Sequence, residues 1–370
     1  MSDTALPRTS DTVLLTGASG LVGAEVAARL SASGRTVAAV LHSNSQIRRN
    51  DGTPYEPDLR LTGDIRQPGF GLELASGLAD RVELIVHCAA TTAFDATPET
   101  YDELNVAGAR HAIELALAWN VPLVHVSTAY VCGLRHGVIR EDELDTGQSF
   151  GNGYEQSKLR AEQLVHAAGE RGLRWAIVRP GIVTGALSDG AIREYKNLYT
   201  VVKLMVEGKL RTLPGRYDAT LALAPVDHVA DVITAAVGDF DAVAGATLHA
   251  VGRDTLSLRE VSDVLAEYPS FDVATFVPES SFRADDLDPI EREYYERIGV
   301  LYTSYFQRRL SFDTSAADRL LDRLPPRTGK DYLRLLLDHC LDSGYLGAPL
   351  PSIEEMLARN GIGGTAEARS

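Results

Sequence analysis

Tyr154 and Lys158 are the residues whose types and spacing point most directly to chemistry, in the run Tyr154-Glu155-Gln156-Ser157-Lys158. They stand four apart at the head of a segment with helical periodicity, so both side chains project from one helix face. An ammonium beside a phenol favours the phenolate, because opposite charge stabilises the ionised form. A free phenol titrates near ~10 and exchanges protons poorly at neutral pH. A cation one turn away tunes it toward proton transfer. The spacing alone is common by chance and gains meaning from a glycine-rich turn upstream.

That turn is Thr16-Gly17-Ala18-Ser19-Gly20-Leu21-Val22-Gly23. It follows an apolar strand at 13–16 and opens a helix, which is the context a dinucleotide fingerprint requires. One glycine permits the tight turn, one lets backbone approach a pyrophosphate, and one lets helix and strand pack closely. The helix N-terminus then offers free N–H groups and a positive dipole end to phosphate. The second strand ends at Leu41-His42-Ser43-Asn44, without the acidic residue that usually binds an NAD ribose there. Arg48 and Arg49 lie just beyond and suit a 2′-phosphate, which favours NADP; the alternative is two solvated loop arginines. His42, Ser43, Asp64 and Ile65 fall on the adenosine side of such a site, with Asp64 able to accept from the adenine amino group. In His87-Cys88-Ala89-Ala90, the small residues Cys88, Ala89 and Ala90 let a cofactor lie close, and Cys88 reads as a buried residue rather than a reactive thiol.

Strand and helix alternate from residue 13 to about 178. This argues for an α/β fold, a Rossmann-type doubly wound parallel sheet with helices on both faces. Expected strands are 13–16, 37–41, 84–88, 121–127 and 174–178, with 43–57 read as loop. Thr97-Pro98 is an N-cap followed by proline at the first helical position. It opens a long helix toward Asn120. Ser257-Leu258-Arg259-Glu260 has the capping-box pattern. The Rossmann core is placed at 11–181, with 221–251 returning to it. Residues 182–220 and 252–360 form a smaller, mostly helical substrate-binding region, and 1–10 and 361–370 read as disordered tails.

Composition narrows the function classes. The chain has 370 residues and a formal net charge of −15, which disfavours bulk binding to nucleic acid. Apolar runs are short, so no membrane span is expected. Residues 1–10 carry no signal-peptide pattern. Three scattered cysteines, Cys88, Cys132 and Cys340, fit a reducing, cytoplasmic setting. The nine histidines form no metal-like spacing, and no metal site is expected. Between Arg193 and Arg216 stand six basic residues (Arg193, Lys196, Lys203, Lys209, Arg211, Arg216) against Glu194 and Glu207. This is either a patch for a CoA phosphate or an acidic carrier protein, or a solvated amphipathic face. The aromatic residues from Tyr294 to Phe306 are assigned to core rather than to an acyl pocket.

Taken in order, several motifs over residues 11 to 240 resemble the extended short-chain dehydrogenase/reductase family. They are TGASGLVG, the HCAA strand end, Asn105-Val106-Ala107-Gly108, Ser127-Thr128-Ala129-Tyr130-Val131-Cys132-Gly133, YEQSK, Val178-Arg179-Pro180-Gly181 and Pro225-Val226-Asp227. The resemblance implies a nicotinamide cofactor and a Thr128–Tyr154–Lys158 catalytic set. Thr128 would hydrogen-bond the substrate oxygen, Tyr154 would donate the proton, and Lys158 would tune Tyr154 and hold the nicotinamide ribose. Pro180, Gly181 and Val183 would border the cofactor. Asn105 matches a position that is often structural in the family. Within it, HCAATTAFD, VHVSTAYVCG, VRPGIVTG and PVDHVAD are similar to the fatty acyl-CoA reductase and thioester-reductase branch. Sugar-nucleotide enzymes more often carry Tyr where Cys132 stands. That branch implies NADPH-dependent reduction of an acyl thioester, on CoA or an acyl carrier protein, to aldehyde, with alcohol as the product of a second round. The rival readings are an NAD-dependent sugar-nucleotide epimerase or dehydratase, a ketone- or steroid-type alcohol dehydrogenase, and a non-catalytic NADP sensor. Oligomeric state is not readable from the sequence.

Overall fold

The structure is a computed structural model that describes residues 11–72 and 77–347; the expected tails 1–10 and 361–370 lie outside the described residues. Seven parallel strands form the central sheet: β1 (Thr12–Thr16), β2 (Thr36–Leu41), β3 (Leu59–Thr62), β4 (Val82–His87), β5 (Leu123–Val126), β6 (Trp175–Pro180) and β7 (Thr247–Ala250). Their spatial order is β7-β6-β5-β4-β1-β2-β3. The order reverses between β1 and β4, and the crevice above that switch point is where open α/β sheets bind ligands.

Period-two alternation along β1 sends Val13 and Leu15 to one face and Leu14 to the other. On the first face lie α1 (Leu21–Ala32) and a later helix, Val226–Gly238, burying Ala24, Ala27 and Leu30 with Val229 and Ile233. On the second lie the helices Gly108–Trp119 and Gly153–Gly169, burying Ala112, Ala116, Val165 and Ala168. The chain leaves the sheet after Pro180 and comes back as Val226–Gly238 and β7, which pairs with β6. The segments between and after build a second apolar cluster around the helices Leu198–Val206, Leu258–Leu265 and Lys330–Asp342.

Local signals held where they are self-contained. Thr97 accepts from the Thr100 N–H at 3.3 Å with Pro98 following, and Ser257 and Glu260 make the reciprocal capping box. Two differences stand out. The stretch 43–57 contains a short hairpin, Ile47–Arg48 against Pro54–Tyr55. The long helix toward Asn120 is interrupted by a π-helical turn, Asp102–Ala107. One residue too many per turn there rotates Asn105 inward, a distortion that recurs near functional sites.

Candidate active site

The Tyr154 helix, Gly153–Gly169, is capped by Asn152, whose side chain accepts from the Glu155 N–H at 3.0 Å. Its first turn is fixed from two further directions. Asn105 bridges the loop after β4 to the helix, accepting from Thr91 N–H at 2.8 Å and donating to Ser157 Oγ at 2.8 Å. Glu155, fully buried, forms an ion pair with Arg308 at 2.8 Å and accepts from the Gly151 N–H at 3.1 Å. The Arg308 guanidinium lies over the rings of Tyr130 and Tyr305, at 5.7 and 4.6 Å from their centroids. A charge this deeply buried is tolerable only when paired, and here the pair ties the C-terminal segment to the residue after Tyr154.

A cavity of about 320 Å³ opens above the switch point. Its floor is the glycine turn (Gly17, Gly20, Leu21, Val22, Gly23) with Cys88 and Ala90, and one wall carries Thr128, Tyr154 and Lys158 beside Pro180, Gly181 and Val183. Thr16, Ser19, His42, Ser43, Arg48, Arg49, Asp64, Ile65, Ala89 and Asn105 do not line it. Several of these are engaged elsewhere. Thr16 Oγ1 contacts His87 Nδ1 at 2.9 Å and accepts from Ala89 N–H. Asp64 holds Arg66 through both carboxylate oxygens. Arg49 lies between Glu25 and Asp51 at 3.8 and 3.9 Å.

The turn itself fits a dinucleotide. Gly17 has φ +76°, and a Cβ there would stand 2.7 Å from the Ala89 nitrogen; one at Gly23 would stand 2.1 Å from the Gly17 oxygen. These contacts fold the turn against β4 and seat α1 on it. No side chain caps α1, so its first N–H groups remain available to an anion beside the cavity.

Electrostatics depart from the simple Tyr–Lys picture. Burial drives the Tyr154 phenol well above its ordinary range, opposed by a hydrogen bond from Thr128 and reinforced by Glu155. The sequence spacing argues for a phenol pulled down by Lys158. In the structure Lys158 donates to the Val126 carbonyl at 2.8 Å and lies 2% exposed. Burial lowers its own pKa to about 8, against the raising influence of Glu162. The Tyr154 phenol is therefore held in its protonated form, not as a resting phenolate. Burial also pushes the Cys88 thiol up to about 11, consistent with a packing residue rather than a nucleophile.

Sequence reasoning missed the wall facing Tyr154. The Phe94 ring lies 5.7 Å from Tyr154, 5.4 Å from Tyr302 and 5.6 Å from Tyr305. Tyr302, Tyr305 and Phe306, assigned from sequence to core, line the cavity. The basic run 193–216 is not one patch. Lys196 pairs with Glu194 at 2.6 Å, Arg211 with Asp288 and Glu291, and Arg216 with Asp218 at 3.0 Å. Lys203 donates to the Tyr345 carbonyl at 2.6 Å. Arg193 donates to the Ser19 carbonyl of the glycine turn at 3.3 Å, and Lys196 lines the cavity.

A Rossmann sheet, an open glycine turn at its switch point and a wall carrying Thr128, Tyr154 and Lys158 fit the extended short-chain dehydrogenase/reductase class, whose members are oxidoreductases. Residues 15–233 match the NAD-binding family described as male sterility protein, and the chain belongs to that family. It is 27% identical over 298 residues to the L-2-aminoadipate reductase large subunit of Penicillium chrysogenum, covering 71% of this chain and 21% of that protein. It is 29% identical over 381 residues to the isonitrile lipopeptide synthase of Streptomyces coeruleorubidus, covering 92% of this chain and 25% of that protein. The chain thus spans about a fifth to a quarter of the length of these relatives. Among solved structures, the terminal R domain of the myxalamid PKS-NRPS biosynthetic pathway superposes with TM-score 0.76 at 25% identity, covering 93% of this chain and 94% of that one.

Proposed function

We propose that the chain is an NADPH-dependent reductase of a carrier-bound acyl thioester, releasing an aldehyde and a free thiol. The observation that carries this reading is the single cavity shared by the glycine turn, the Thr128–Tyr154–Lys158 wall and the aromatic face of Phe94, Tyr302 and Tyr305. The relatives support the thioester: one is a reductase and one a lipopeptide synthase, and the chain matches a domain-sized part of each.

The bound dinucleotide supplies the hydride. Thr128 and Tyr154 hold the thioester oxygen as preorganised donors where negative charge develops. Tyr154 gives its proton to that oxygen; burial, which raises the phenol's pKa, opposes this loss, and the Thr128 hydrogen bond offsets part of that cost. Lys158, cationic below about pH 8, would hold the ribose hydroxyls of the dinucleotide and stabilise the phenolate that the transfer leaves. The hemithioacetal then collapses, its C–S bond breaking to give aldehyde and thiol. The aromatic face meets the acyl substituent. Local pairs at Lys196, Arg211 and Arg216 break up the basic run 193–216, so it offers a carrier no continuous basic patch.

The test is NADPH oxidation with a panel of acyl-CoA and acyl-pantetheine thioesters, assaying aldehyde and alcohol separately. Turnover of thioesters supports the reading. Inertness toward every thioester together with turnover of a free ketone or a sugar nucleotide overturns it.

A further inference from the structure

Arg193 stands on the segment after β6, 174 residues from the glycine turn, yet its guanidinium reaches both nucleotide-side loops. Nη2 donates to the Ser19 carbonyl at 3.3 Å, and Nη1 donates to the Arg48 carbonyl. Asn50 locks the same junction: its Nδ2 donates to the Ala191 carbonyl at 2.6 Å and its Oδ1 accepts from the Arg193 N–H at 3.1 Å. The Arg193 side chain is only 16% exposed, so it has surrendered most of its hydration. In return it has two neutral carbonyls and one carboxylate, Glu194, which also serves Lys196 at 2.6 Å. Arg48, next to it, donates only to Gln46 Oε1 and the Gly52 carbonyl, with no carboxylate within ion-pair reach among the described residues. Among the described residues Glu194 is the one ion-pair partner of both Arg193 and Lys196, and Arg48 has none, which leaves positive charge unmatched at this junction. A guanidinium partly buried against carbonyls gains most when an anion replaces them.

On the dinucleotide reading of this site, we propose that Arg193 is a specificity residue for the adenosine 2′-phosphate, closing on it from the segment after β6 while Arg48 meets it from the hairpin after β2. The segment 191–193 then acts as a clasp that distinguishes NADP from NAD.

The test uses the full chain without acyl substrate and reads dissociation constants for NADPH and NADH from nicotinamide fluorescence. Arg193→Gln is expected to weaken NADPH by about tenfold or more while leaving NADH within about twofold. Arg193→Lys, which keeps the charge, is expected to fall between wild type and Arg193→Gln, and Arg48→Gln to repeat the NADPH-selective loss. Equal losses for both dinucleotides, or no loss for NADPH, overturn the proposal. A wild type that binds both equally overturns it while leaving the reductase reading intact; a wild type that binds neither defeats the functional reading itself.

Discussion

Replacing Lys158 by Met should separate activity from stability, with a pH dependence that can be worked out in advance. The ammonium is 2% exposed and its pKa falls from 10.5 to about 8, chiefly through burial. Below pH 8 the folded protein therefore holds a charge its interior disfavours, at a cost on the order of 3 kcal/mol. Met has a similar length and no charge, so it removes this cost. It also removes the donor to the Val126 carbonyl, which gives back about 1–3 kcal/mol. At pH 7 the variant should thus lie between equal stability and about 2 kcal/mol more stable than wild type, while turnover collapses. The sign of the pH effect follows from the depressed lysine. Between pH 8 and 10.5 the unfolded chain binds more protons than the folded one, so wild-type stability rises with pH. By pH 9.5 wild type should recover about 2 kcal/mol relative to the variant. Urea unfolding of both proteins, without cofactor, at pH 7 and 9.5 measures this directly, because titrating groups not coupled to Lys158 cancel in the difference. Parallel stabilities at the two pH values would refute the claim that Lys158 is a buried ammonium with a lowered pKa.

Three further outcomes follow from the same geometry. Tyr154→Phe removes the proton but not the ring, so it should cut turnover by at least about a hundredfold while NADPH binding, followed by fluorescence, stays nearly unchanged. Arg308→Met leaves the buried Glu155 carboxylate unpaired and should cost about 3–5 kcal/mol in denaturant unfolding, with much of it recovered in the Arg308→Met/Glu155→Leu double variant. Non-recovery would mean that the pair is not the linkage it looks to be. Gly23→Ala would place a methyl 2.1 Å from the Gly17 oxygen, so dinucleotide binding should be lost or strongly weakened; retained affinity would show that the turn does not seat the cofactor.

How legible this protein is in its sequence depends on the range of each interaction. The glycine turn, the Thr97-Pro98 start and the Ser257–Glu260 box are each spelled within eight residues or fewer, and the two helix starts rest wholly on local hydrogen bonds. The parallel sheet is legible because five of its strands are short, predominantly apolar runs that alternate with helices. Strand β3 (Leu59–Thr62) is short, at the sheet edge and half-exposed, so it carries a weaker pattern. The facing wall of the cavity is different in kind. Phe94 meets Tyr302 and Tyr305 from about 210 residues away in sequence, and nothing in either segment's periodicity separates a ring that packs in core from one that lines a cavity. Arg308 and Glu155 are 153 residues apart, and Arg193 reads from sequence as one more member of a basic run. The phenol is the instructive case. The Tyr154–Lys158 spacing is right about proximity on one wall, but the pKa is set by burial that only the assembled fold creates.

The central claim, that this wall reduces a thioester, is tested most directly by counting thiol against cofactor. The purified chain is given NADPH and an acyl thioester on pantetheine or on a carrier protein, and free thiol, aldehyde and NADPH consumption are followed together. The account predicts one thiol and one aldehyde for each NADPH consumed in the first round, and none of the three in Tyr154→Phe. Thiol release without NADPH consumption, or NADPH consumption that leaves the thioester intact, would contradict it.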